Sequence, residues 1–175
     1  MISQKTHIKR LVLISMLAAC GLILFVFESL LPLLPWFRPG FGNVATILAL
    51  LFFGLGDAFK VTLLRIVLGA LILARLFTDI FWIALCGGIV STFVMGFAMR
   101  YLRMFGIVGV SVLGAVSHNV VQLVVAYLLF VKMTELFIFL PVFVTTGILT
   151  GILTGLVSSM IYEKAEKRLG LESTT

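Results

Sequence analysis

His118, Asn119 and Gln122 fall within five positions of one another in GAVSHNVVQ, residues 114–122, in a segment otherwise made of Val, Leu, Ala, Gly and Ser. An imidazole and two carboxamides are hydrogen-bonding groups, suited to a flavin-like ring, another heteroaromatic vitamin or a polar head group. On a helix, His118 and Gln122 lie about 40° apart and Asn119 about 100° from His118. Ser111, Gly114 and Ala115 extend the same sector, so one side of the helix is small and polar while the rest is Val and Leu. Two readings are open. The three side chains line a cavity that a solute occupies, as polar groups in lipid commonly do, or they tie helices together through hydrogen bonds of about 1 kcal/mol each.

Arg65 is the second unusual residue, a guanidinium inside VTLLRIVLGALI. Standing only five residues past Lys60, it can extend its stem toward the nearer surface. It can also pair with Asp57, hold an anionic group, or join a network that couples to a partner. Glu28 and Asn43 frame the loop PLLPWFRPGFGN and are placed to line the mouth of an outward-opening pocket; the plainer roles are an interfacial carboxylate and a helix cap.

Missing residues narrow the chemistry further. The chain has two aspartates, Asp57 and Asp79, far apart, so a paired-carboxylate magnesium site of the prenyl-transferase kind cannot be assembled. No Gly-rich loop precedes a Lys-Ser or Lys-Thr pair, which excludes a nucleotide-hydrolysing loop within the chain. Cys20 and Cys86 both sit in apolar runs and read as packing residues. No enzyme activity, cofactor or metal site is expected.

The elements that must hold these residues follow from composition. Of 175 residues, 62% are hydrophobic and 11% charged, with a mean hydropathy of +1.26. A soluble domain carries about 25% charge, so lipid rather than water is the main solvent. Long apolar runs without period-two alternation select helices over a barrel. We therefore expect an all-α polytopic bundle, a single integral membrane domain over 1–175, with six spans near 10–31, 43–57, 60–76, 79–99, 106–131 and 136–161. The break at GLGDAFK divides the second span from the third, since one continuous helix would carry Asp57, Lys60 and Arg65 through lipid.

The net charge of +6 is spread in short groups between apolar runs, which points to topology and away from nucleic acid. Lys5, Lys9, Arg10, Lys60, Arg100, Arg103, Lys164, Lys167 and Arg168 fall on one side, against Arg38, Arg75 and Lys132 on the other. This places both termini in the cytoplasm. LAAC, residues 17–20, resembles a lipoprotein box, but the hydrophobic run continues past Cys20, so an uncleaved first helix with Ser15, Ala18 and Ala19 on a small-residue face is expected. In the last span Gly147, Gly151 and Gly155 recur every four residues beside Thr146, Thr150 and Thr154, a stripe for close helix packing within the bundle or against a partner. Pro141 is expected to bend that span.

Taken together, PGFGNVATILALLFFG, VTLLRIVLGALI, FWIALCGGIVSTFVM and GVSVLGAVSHNVVQLVVAYLLF resemble the Gx transporter family, also called heptaprenyl diphosphate synthase component I, over about residues 10–160. That family is similar to the substrate-binding S components of energy-coupling factor transporters. The resemblance implies six helices, no ATPase activity, and capture of a small molecule such as a vitamin or cofactor precursor at the outer side. A transmembrane coupling protein and an ATPase module would be the partners, meeting the first helix at Ser15, Ala18 and Ala19. The synthase label implies instead a non-catalytic partner in making the prenyl chain of menaquinone. A subunit of a quinone- or flavin-based electron-transfer assembly is the third possibility.

Overall fold

A computed structural model of the chain describes residues 2–30, 40–102 and 104–169. Among them every regular element is helical: α1 Ile2–Leu30, α2 Asn43–Phe53, α3 Leu55–Ile72, α4 Asp79–Tyr101, α5 Ile107–Ala126 and α6 Leu140–Leu169. A π-helical turn, Tyr127–Val131, and a 3₁₀ segment, Thr134–Phe139, join α5 to α6. Pro32, Pro35, Trp36, Arg38 and Pro39 of the first loop lie outside the described residues, as do Arg103 and the side chain of Arg168.

Four stretches are long and apolar enough to cross a membrane: Arg10–Ser29, Asp79–Tyr101, Ile107–Phe130 and Thr134–Lys167. The protein is a helical membrane protein, and its outward faces agree with that. Leu11, Ile23, Phe27, Phe93, Leu149, Leu153 and Met160 are exposed, large side chains that water would not tolerate in such number. Six helices are present, but only four of the six expected spans have the length and apolar character to cross a membrane. With 11 residues, α2 rises about 16 Å, half of a hydrocarbon core about 30 Å thick. The 18 residues of α3 include Asp57, Lys60 and Arg65.

Several boundaries differ from the hydropathy pattern, each for a local reason. Helix α1 begins at Ile2 because its basic first turns need no apolar character to stay helical. The turn between α2 and α3 falls at Gly54, the first residue of the expected GLGDAFK break, so α2 ends short of 57 and α3 starts ahead of 60; the Gly54 φ of +86° is a conformation that only glycine adopts without strain. Asp57 then sits in the first turn of α3, where the helix dipole favours a carboxylate. The segment after α3 ends earlier than 76, with Ala74 and Phe77 at positive φ. Pro141 begins α6 instead of bending it, occupying a first-turn position whose missing N–H costs nothing.

The turn at Gly54 sets the register of the interior. Thr46 and Thr62 stand eight residues before and after it, so the antiparallel helices bring them to one height, with their hydroxyls 2.9 Å apart. Thr62 continues to Thr92 of α4 at 3.0 Å, and Thr92 donates to the Gly88 carbonyl at 2.8 Å. Because each hydroxyl has one proton, this last bond orients the chain: Thr62 donates to Thr92 and Thr46 to Thr62. At the Gly54 end, Arg10 of α1 holds Asp57 Oδ2 through Nε at 2.7 Å and Nη2 at 2.6 Å, while Lys60 reaches Oδ1 at 2.8 Å. Helix α2 fills the middle of this assembly, with Asn43–Leu50 buried throughout.

On the other side, α6 lies along α5. A Cβ on Gly147, Gly151 or Gly155 would stand 2.9, 2.6 or 2.7 Å from the Cα of Val116, Val112 or Val108. Each step of four along α6 meets a step of four back along α5, so the glycine stripe is consumed inside the bundle. Ser111 and Thr154 share a hydrogen bond of 2.9 Å across the same seam. Gly151→Ala is expected to lower stability by about 1–3 kcal/mol through overpacking against the Val112 backbone. Gly56→Ala, where nothing lies within 4 Å, is expected to be neutral or better; thermal melting in detergent compares the two.

Candidate functional site

Asn43 opens α2 and Arg65 lies in α3, each eleven residues from Gly54, so the turn that aligns the threonines also brings these two side chains level. Arg65 is only 4% exposed, and its Nη2 donates to Asn43 Oδ1 at 3.2 Å. The guanidinium therefore does not extend to the surface, and it does not pair with Asp57, which Arg10 and Lys60 already hold. Its carbon also lies 6.0 Å from the centre of the Phe25 ring of α1, within cation–π range. Asn43 is not a cap either: Gly42 holds the cap position and no side-chain cap bond forms.

Glu28, three residues after Phe25 on the same face of α1, is 5% exposed, which rules out an interfacial carboxylate bathed in water. Its Oε1 accepts the N–H of Phe41, fastening the outer part of α1 to the residues that lead into α2. From α5, His118 and Gln122 reach the same space against Gly87 of α4, where a Cβ would lie 3.0 Å from His118 Nδ1 and 3.1 Å from Gln122 Cγ.

These groups surround a cavity of about 20 Å³ lined by Phe25, Glu28, Gly40, Asn43, Arg65, Ile66, Ala84, His118 and Gln122. A site of that size needs only about 10–15 Å³ to hold one water, so as it stands it takes a water or a single functional group. Glycines make room for its walls. A Cβ at Gly42 would come within 3.1 Å of Arg65 Cδ and closer still to the guanidinium, and one at Gly69 would strike the Phe25 ring.

Of the residues singled out in the sequence, His118, Gln122, Asn43, Glu28 and Arg65 are thus brought together. Asn119 is not. Its Nδ2 donates to the Phe143 carbonyl of α6 at 2.9 Å and approaches Thr146 Oγ1 at 3.5 Å, which makes it a link between helices. The small-residue face of α1 also divides: Ala18 is buried in the core, while Ser15 and Ala19 face outward beside the exposed Cys20. Phe25, Ile66 and Ala84 were not foreseen. For Phe25 a signal existed in its spacing of three from Glu28, whereas apolar wall residues carry no mark of their own.

Gln122 is 8% exposed, and its carboxamide makes no hydrogen bond to another described residue. Asn119, equally buried at 8%, is expected to lose about 1–2 kcal/mol of stability on replacement by Ala, because its bond to α6 disappears. Asn43→Ala, which strips a charged donor of its acceptor, is expected to cost about 1.5–3 kcal/mol. Melting temperatures in detergent test both.

No curated protein and no solved structure matches this chain. A family model, heptaprenyl diphosphate synthase component I, matches residues 17–161 and so spans α1 from Leu17, the whole cavity and most of α6. The chain belongs to the heptaprenyl diphosphate synthase component I family.

Proposed function

We propose that the chain is the membrane-embedded binding subunit of an uptake system for a small molecule such as a vitamin or cofactor precursor, similar to an energy-coupling factor S component and without ATPase activity of its own. The observation that supports this is the small cavity in the bundle, and above all Gln122, which lines it at 8% exposure and makes no hydrogen bond to another described residue. Interhelical bonding does not use this carboxamide, and an incoming solute would give its donor and acceptor a partner.

The charges give the orientation. With Arg10, Lys60, Arg100, Lys164 and Lys167 in a bacterial cytoplasm, both termini are cytoplasmic and the Gly54 turn lies at the inner face. Helix α2, 11 residues long, then reaches about halfway across the hydrocarbon. The cavity at its N-terminal end lies near mid-depth and receives solute from outside. In this reading a transmembrane coupling protein with an ATPase module releases the solute inward, and the outward-facing Ser15 and Ala19 of α1 are the contact positions.

The family's name favours a second reading, a non-catalytic membrane partner of a soluble prenyl diphosphate synthase chain in menaquinone synthesis; a quinone- or flavin-linked electron-transfer assembly is its variant. Mild detergent extraction followed by protein and small-molecule mass spectrometry separates them. The binding-subunit reading expects an ATPase module and a stoichiometric small molecule to copurify. A soluble chain with Asp-rich motifs in their place, and no retained compound, would overturn it.

A further inference from the structure

We infer that the group recognised at the cavity is a neutral amide edge, an N–H beside a C=O as in a carboxamide, lactam or imide, and not a carboxylate or phosphate. The inference rests on the proposed binding role and deepens it.

Formal charges of both signs border the cavity, and each already has a partner. Arg65 donates to Asn43 at 3.2 Å, with its guanidinium carbon 6.0 Å from the Phe25 ring centre, and Glu28 accepts the Phe41 N–H. An incoming anion would draw Arg65 away from Asn43. It would also share a poorly screened space with the Glu28 carboxylate, where like charges repel far more than in water. The charged residues therefore shape and polarise the site without selecting an anion.

Gln122 remains as the polar group lining the cavity with no partner among the described residues, 92% buried by its 8% exposure. A carboxamide presents a donor and an acceptor in one plane. Its full complement is another amide, whose N–H meets Oε1 while its C=O meets Nε2. A carboxylate accepts only, so it would pair with Nε2 and leave Oε1 facing negative charge. The 20 Å³ available suits one such group.

Nicotinamide and nicotinate, which share a ring and differ only in carboxamide against carboxylate, make the test. Binding of each to the full chain in nanodiscs is measured by calorimetry or saturation-transfer NMR. Nicotinamide is expected to bind saturably and about tenfold more tightly than nicotinate, the factor that one well-formed hydrogen bond supplies. Gln122→Met keeps the volume, removes an unpaired amide and so is expected to fold at least as well, yet it should erase the preference. Should that variant fail to fold, Gln122→Asn, which retains the chemistry but shortens the reach, is expected to weaken nicotinamide selectively. Equal or tighter binding of nicotinate, or a preference that survives in Gln122→Met, overturns the amide assignment and leaves the binding subunit standing. If neither probe binds, the amide assignment falls, and if in addition no compound is retained on mild extraction, the binding subunit falls with it.

Discussion

A polar side chain in hydrocarbon has no water to turn to, and this constraint organises the interior of the protein. The threonine chain from Thr46 through Thr62 and Thr92 to the Gly88 carbonyl, the Ser111 to Thr154 bond and the Asn119 link to Phe143 all satisfy donors within the bundle. Arg65 and Asp57 follow the same rule with charge, one through Asn43 and the other through Arg10 and Lys60. Gln122 makes no hydrogen bond to another described residue, and in the binding-subunit reading a solute supplies its partner.

Glycines do two different jobs in this bundle. Gly147, Gly151 and Gly155 let α6 settle on the α5 backbone, a purely structural approach that fixes the sector of α5 facing the opposite way. Gly42, Gly69 and Gly87 instead make space for the side chains of Arg65, Phe25 and His118. The close seam and the cavity are thus complementary. Because α5 is pinned on its α6 side, His118 and Gln122 are directed at Gly87 and the cavity beyond.

Asn119 and Gln122 show how narrowly a link between helices and a cavity wall are separated. They are three residues apart on one helix and both are amides 8% exposed, yet one has a carbonyl of α6 in front of it and the other an opening. In the binding-subunit reading, the first holds the frame against which the second is presented. The charged pair Glu28 and Arg65 then serves as scaffold, fastening α1 and α3 to the start of α2.

Composition and hydropathy by themselves determined that the chain is a helical membrane protein, because nothing but a closed hydrogen-bonded backbone survives in lipid and because few charges interrupt its apolar runs. The polarity of one side of α5, the close packing of the Gly147 stripe and the family likeness were legible in the same way. Only tertiary structure decided that Arg65 meets Asn43 and not Asp57, that Ala18 is buried while Ser15 and Ala19 are not, and that Asn119 is a link. Such pairings depend on the relative height of antiparallel helices, which a turn sets to within one residue. Hydropathy placed the break in GLGDAFK with span ends at 57 and 60, while Gly54 at φ +86° fixes the turn at the first residue of that stretch. A shift of that size carries a side chain about 5 Å along its helix, enough to exchange one partner for another.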